Sequence, residues 1–228
     1  MSNIPLQPPT PLHGIIFDFD GVIVDSEKHW AKVENPYLRR HIPSWQDNNY
    51  AALVGRSLPE VHDYLTSRGF DVSAEEYFSD YEEMAQELYR DLAQPLDQVT
   101  NLVTWAQDHE ILCAIASSSK RNWIDVALRA HGLDDAFKYV ISAHDPEVTR
   151  GKPAPDVYLR AVELLGISAS NLIAIEDSKN GVAAAKTANL YCFGLRNGFN
   201  EDQDLTEADD ILDIYGPEDI TKVMSFIA

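Results

Sequence analysis

Two carboxylates, Asp18 and Asp20, stand two residues apart directly after an apolar run, Gly14-Ile15-Ile16-Phe17, and Gly21 follows them. Side chains on a strand alternate with period two, so acids at this spacing are expected to point the same way. Like charges held together are costly unless a cation, a shared proton or a phosphoryl group compensates. The spacing alone proves little, because 37 acids in 228 residues would give acid-x-acid triplets about six times by chance. Context carries the reading instead. A run this apolar and rich in β-branched residues reads as a buried strand of a parallel sheet, and open α/β sheets bind ligands at the carboxyl ends of such strands. Two solvated acids after an edge strand are the competing interpretation.

Three further groups follow apolar strands. After the run Ile111–Ala116 comes Ser117-Ser118-Ser119-Lys120, whose hydroxyls and free backbone N–H groups at a helix start suit a phosphate oxygen. Ordinary N-capping by serine explains the same residues. Gly151-Lys152-Pro153-Ala154-Pro155 puts a lysine on a proline-stiffened loop leading into a helix; taken alone, such a lysine is usually just solvated. Glu176-Asp177 closes the run Leu172–Ile175 and precedes Ser178 and Gly181. Adjacent acids there can load the N-terminus of the next helix. On a sheet whose first strand already ends in two acids, metal binding is the better reading.

These groups need a scaffold, and the pattern from residue 95 onward supplies one. Short apolar runs alternate with helical patterns, the mark of βαβ units around a parallel sheet. Strands are expected at 111–116, 138–141, 172–175, 190–193 and 210–212, with helices near 120–131, 155–165, 178–188 and 217–226. Residues 26–93 break the alternation and show no convincing strand. Ser57-Leu58-Pro59-Glu60 and Ser73-Ala74-Glu75-Glu76 both have capping-box spacing. The first opens a helix ending at Gly69. The second opens a long helix with an apolar stripe of Tyr77, Tyr81, Met84, Ala85, Leu88 and Leu92, which reads as bundle core.

Composition narrows the function classes. A formal charge of −19 argues against nucleic acid and anionic membranes as partners, and the acidic surface favours a monomer. No apolar run approaches the length of a membrane span. Met1–Pro11 is proline-rich and does not read as a signal peptide. Cys113 and Cys192 fall inside strand-like runs, so buried reduced thiols and a cytoplasmic location are expected. The same charge repels a phosphorylated substrate, which would need a local positive field from a metal and a few placed basic groups.

The order and strand-end placement of all four groups resemble the haloacid dehalogenase-like hydrolase superfamily, in particular its phosphatases and β-phosphoglucomutase-like members with a helical cap after the first motif. The resemblance runs from about residue 13 to 226. Its strongest stretches are Phe17–Glu27, Gly151–Asp156 and Ile175–Gly181. It implies an α/β fold, a Rossmann-like parallel sheet with helices on both faces, plus an inserted helical-bundle cap. The α/β core would be 1–26 with 95–228, residues 1–11 being a flexible arm, and the cap would be 27–94. The resemblance also implies that Asp18 is a nucleophile forming an aspartyl-phosphate and that Asp20 is the general acid and base. Ser117 and the Ser118 N–H would hold phosphoryl oxygens, and Lys152 would pair with nucleophile and phosphate. Mg²⁺ would be bound by Asp18, the Asp20 main-chain carbonyl and Asp177, with Glu176 supporting the site directly or through water. A small phosphorylated metabolite is the implied substrate. The cap would close by hinge motion near 24–28 and 92–96.

Elementary electrostatics agrees with that assignment, since clustered carboxylates need a divalent cation and oxygen-only ligands suit Mg²⁺. Dehalogenases of the superfamily lack an acid two residues after the nucleophile, so Asp20 points to phosphate esters. Phosphonate cleavage would need a Schiff-base lysine, for which Lys28 and Lys32 are the only choices in the inserted unit. β-Phosphoglucomutase-like members carry a histidine ten residues after the acid/base aspartate; that position is Trp30 here, with His29 one residue earlier. Phosphatase is therefore the expectation and sugar-phosphate mutase the alternative. Gly55-Arg56-Ser57 falls where such caps place a specificity loop, so Arg56 is a further candidate for substrate contact.

Overall fold

The computed structural model describes residues 8–53, 58–96, 99–213 and 217–227. By contact the chain divides into two compact units, Met1–Asp25 with Gln94–Ala228, and Ser26–Ala93.

The first unit is built on six strands: β1 (Gly14–Phe17), β2 (Leu112–Ser117), β3 (Tyr139–Ser142), β4 (Leu172–Glu176), β5 (Tyr191–Arg196) and β6 (Asp210–Asp213). All neighbours pair in parallel, in the order β3-β2-β1-β4-β5-β6. β1 and β4 are buried at every position, as continuous apolar runs in the middle of a parallel sheet require. Chain order reverses between β1 and β4, which makes the carboxyl ends of these strands the place where such a sheet opens a ligand crevice.

Side-chain alternation splits the core across the sheet. Ile16, Ala114, Ala174 and Cys192 face a cluster that includes Val157, Tyr158 and Ala161 of helix α6 (Asp156–Leu165) and Val182, Ala184 and Ala185 of helix α7 (Lys179–Thr187). On the other parity, Phe17 meets Phe137 edge to face at 5.9 Å and Phe193 stacks on Phe226 at 5.6 Å. Full burial of each such side chain contributes roughly 1.5–3 kcal/mol. Helix α6 starts after Pro155 and stops at Gly166, whose φ of 67° gives the left-handed turn that ends it. Helices α4 (Val99–Asp108) and α5 (Arg121–Ala130) and the closing α8 (Pro217–Met224) complete the unit. Both thiols are free and buried, and burial pushes the Cys113 thiol up to about 12. Of the proline-rich start, residues 1–7 lie outside the description; Pro9 is buried, and the Pro11 carbonyl accepts a hydrogen bond from Asn171 Nδ2 at 2.7 Å.

The second unit is helical: α1 (Glu27–His41), α2 (Leu58–Thr66) and α3 (Ala74–Glu87). Its core joins Tyr37, Leu38, Trp45, Val61, Leu65 and Tyr77. Ser73 caps α3 by accepting the Glu76 N–H at 3.2 Å, as its spacing predicts. The expected cap Ser57 lies outside the described residues. The long helix expected from Ser73 to Leu92 is not uniform, because its last turn, Leu88–Leu92, is a π-helix in which the Ala93 N–H reaches back to the Leu88 carbonyl at 2.8 Å. That wider turn rotates both Leu88 and Tyr89 into the interior. α1 was not legible as a helix because Pro36 interrupts it, and the proline is tolerated on an exposed position.

Candidate active site at the carboxyl ends of the central strands

β1 delivers Asp18. Its N–H donates to the Ile175 carbonyl at 2.9 Å, which carries the β1–β4 ladder one residue past the strand and fixes the backbone of Asp18. The chain then turns. The Phe19 carbonyl accepts the N–H groups of Val22, Ile23 and Val24 at 2.8–3.3 Å, and Gly21 takes a φ of 74°. The turn thus begins just past the strand, with Asp18 and Asp20 on either side of Phe19. They meet different partners. Asp18 Oδ1 accepts Lys152 Nζ at 2.7 Å, whereas Asp20 Oδ2 accepts the Ser119 hydroxyl at 2.5 Å.

Lys152 is the bridge of the site. Its side chain is 5 % exposed, and Nζ also donates to Glu176 Oε1 at 2.6 Å while lying over the Tyr158 ring at 5.1 Å. Burial works against its charge, but the carboxylates of Asp18 and Glu176 outweigh burial and raise its pKa. Glu176 is fully buried and accepts the Tyr158 hydroxyl at 2.6 Å on the same Oε1. Burial first, and the neighbouring Asp18 second, push the Glu176 carboxyl up, and Lys152 and Tyr158 only partly reverse this.

The end of β4 explains the glycine of Ser178–Gly181. Ser178 caps α7 by accepting the Gly181 N–H at 3.1 Å. A Cβ on Gly181 would fall 1.8–2.1 Å from the Glu176 carboxylate, so only glycine lets that carboxylate lie against the helix start. Two asparagines hold Asp177. Asn197 Nδ2 donates to its Oδ2 at 2.9 Å, and Asn200 Nδ2 donates to its backbone carbonyl at 2.7 Å.

Asp18, Glu176 and Asp177 each offer a carboxylate oxygen within 4.8 Å of the others, and all three are buried. Three carboxylates facing one ammonium leave surplus negative charge, and the donors are all oxygen. That set fits a hard divalent cation such as Mg²⁺ and does not fit zinc, which favours histidine and cysteine. The Asp20 carboxylate is not one of the three.

The remaining expected residues fall as follows. Ser117 is buried at the end of β2 and its Oγ accepts the Ser119 N–H at 2.9 Å, while Ser118 is exposed in the turn beyond. Arg56 lies outside the described residues. Within the second unit, His29 Nδ1 lies 3.0 Å from Lys32 Nζ on an exposed surface, and Trp30 stacks on Tyr81 at 4.9 Å. Ser119, Tyr158, Asn197 and Asn200 were not assigned from the sequence. Ser119 stood in the serine run already singled out, and Asn197 follows a strand of the same sheet, where the strand-end rule could have found it. Tyr158 gave no signal, being one apolar-facing position of a helix.

Known proteins resemble this chain in sequence and in fold. The haloacid dehalogenase-like hydrolase family profile matches residues 15–195. YhcW of Bacillus subtilis is 32 % identical over 184 residues, covering 79 % of this chain and 82 % of its own. The validoxylamine A 7'-phosphate phosphatase of Streptomyces hygroscopicus subsp. limoneus is 29 % identical over 213 residues, covering 91 % and 94 %. In fold, a Thermotoga maritima crystal structure assigned as a candidate β-phosphoglucomutase superposes with a TM-score of 0.81 at 22 % identity, covering 95 % of this chain and 100 % of that one. With four motif groups at the ends of a parallel sheet and a profile spanning most of its length, the chain belongs to the haloacid dehalogenase-like hydrolase family.

Proposed function

We propose that the protein is a Mg²⁺-dependent phosphatase that hydrolyses a small phosphorylated metabolite through an aspartyl-phosphate on Asp18. The observation that carries this reading is the Lys152 bridge. One buried ammonium binds Asp18 Oδ1 at 2.7 Å and Glu176 Oε1 at 2.6 Å beside Asp177, while Asp20 accepts the Ser119 hydroxyl. Two acids leaving one strand end thus have different partners, as a nucleophile and a proton donor require.

In the first step a carboxylate oxygen of Asp18 attacks phosphorus, the bond from phosphorus to the substrate oxygen breaks, and Asp20 gives that oxygen a proton. In the second, Asp20 takes a proton from water as the water oxygen attacks phosphorus, and the Asp18 carboxylate leaves. Ser117, the Ser118 N–H and Lys152 are assigned to the phosphoryl oxygens, where fixed donors and cations offset the charge of the transition state. Asp18, Asp177, Glu176 and the Asp20 carbonyl would hold Mg²⁺, which when bound supplies positive charge beside the phosphoryl group. Lys152 offsets part of the carboxylate charge on that side of the crevice, in a chain whose net charge is −19.

The Streptomyces relative is named for removing a phosphate from a small molecule, in keeping with this substrate class. The position where mutase-like members carry a histidine is Trp30 here, which weakens the mutase alternative. A phosphate-release screen over phosphorylated sugars, nucleotides and glycolate tests the proposal. Magnesium-dependent release from at least one of them is expected. Conversion of β-glucose 1-phosphate with a bisphosphate activator, without net phosphate release, would instead assign a mutase.

A further inference from the structure

Asn197, in the turn after β5, touches both loops that close the acidic crevice. Its Nδ2 donates to Asp177 Oδ2 at 2.9 Å and to the Gly21 carbonyl at 2.9 Å, and its Oδ1 accepts the Phe199 N–H at 3.1 Å. Acceptors on one end and a donor on the other fix the orientation of the amide. The residue is 4 % exposed, so no water competes for these bonds. The other side of Asp177 Oδ2 is closed by backbone: a Cβ on Gly21 would lie 2.0 Å from it and 2.9 Å from Asn197 Nδ2. The turn itself is braced. Asn200 Oδ1 accepts the Asn197 N–H at 3.2 Å, and Arg196 Nη1 donates to the carbonyls of Asn200 and Gln203 at 3.1 and 2.9 Å.

We propose that Asn197 is a positioning residue that makes Asp177 offer a metal cation one oxygen rather than two, and so favours Mg²⁺ over Ca²⁺ in this crevice. Turning Asp177 to present both oxygens breaks the Asn197 bond and leaves a buried amide hydrogen unpaired. Ca²⁺ takes about six to eight oxygens and readily uses both of a carboxylate, whereas Mg²⁺ demands a near-octahedral set of single oxygens. The clamp therefore penalises the larger ion more. This inference rests on the metal-dependent reading above.

The test is calorimetric titration of MgCl₂ and of CaCl₂ into the chelator-stripped full chain, as wild type, Asn197→Ala, Asn197→Ser and Asn200→Ala, with the fold checked by circular dichroism. Removing a hydrogen bond that orients a metal ligand typically costs about 10- to 100-fold in affinity. Asn197→Ala is expected to lose that much for Mg²⁺ and less for Ca²⁺, so that the Mg²⁺:Ca²⁺ affinity ratio falls about tenfold. Asn197→Ser, whose hydroxyl is too short to reach both acceptors, should shift the ratio the same way and serves if the alanine variant does not fold. Asn200→Ala removes the bonds to the Asp177 and Leu195 carbonyls and the brace on the Asn197 N–H but leaves the Asn197 amide on Asp177 Oδ2, so it should move the ratio less than either Asn197 variant. An unchanged ratio in both Asn197 variants, or an equal fall in Asn200→Ala, overturns the proposal while leaving the phosphatase reading intact. A wild-type chain that binds neither ion overturns both.

Discussion

Asp18 and Asp20 share a strand end but meet different partners, Lys152 and Ser119, in a turn where the Phe19 carbonyl gathers three N–H groups and Gly21 adopts a left-handed φ of 74°. Their separate partners argue for separate roles. Asp18→Asn is expected to abolish turnover while circular dichroism still reports a folded chain; measurable turnover would move the nucleophile elsewhere. Asp20→Asn should slow hydrolysis about 10²- to 10⁴-fold, the usual range for lost general acid–base help, and steady-state rates equal to wild type would strip it of that role. Lys152 has a structural share as well. Lys152→Met leaves the buried carboxylates of Asp18 and Glu176 without their ammonium. Breaking such a bridge on one side costs about 3–5 kcal/mol, to be read from urea unfolding in the presence of a chelator. A midpoint like that of wild type would show the bridge to be dispensable for folding.

Among the elements, helix α1 gives the second unit a pH-sensitive point. It buries Glu34, which accepts the Tyr50 hydroxyl at 2.5 Å, near Tyr77, whose own buried hydroxyl has no hydrogen-bond partner among the described residues. Burial raises the Glu34 carboxyl from 4.5 to about 7, and the Tyr50 hydrogen bond only partly opposes it. The folded state thus binds this proton more tightly than the unfolded chain. Its stabilising contribution is complete below 4.5 and is lost as pH climbs through about 7. The shift corresponds to a penalty on the order of 3 kcal/mol at pH 8. Glu34→Gln, which cannot ionise, should shrink the difference between urea midpoints at pH 5 and pH 8. If variant and wild type lose stability in parallel over that range, another group is responsible.

At the scale of the whole molecule, a chain of charge −19 concentrates three buried acids in one crevice. A cation that binds only the folded form stabilises it by mass action, by about 2.7 kcal/mol at a hundredfold excess over its Kd. Addition of MgCl₂ should therefore raise the melting temperature of the wild-type chain and leave that of Asp177→Asn nearly unmoved. Equal shifts in both proteins would place the ion away from these acids.

The amino-acid sequence determined the kind of fold and the location of the acids. Buried parallel strands are continuous apolar runs, helix ends carry Ser178 or Gly166, and both signals are local, so β1, β4, α6 and α7 could be placed to within a residue or two. The alternation that marks a strand said nothing about the turn after β1, in which the Phe19 carbonyl collects three N–H groups. Helix α1, with Pro36 inside it, and the π-turn at Leu88–Leu92 also escaped a reading based on period. What only the tertiary structure decided is which groups meet. Ser119 reaches Asp20 across 99 residues, Lys152 reaches Asp18 across 134, and Asn197 reaches Gly21 across 176. Those meetings follow from the order β3-β2-β1-β4-β5-β6. That order is set by hydrogen bonding between strands distant in the chain, and no spacing along the chain encodes it.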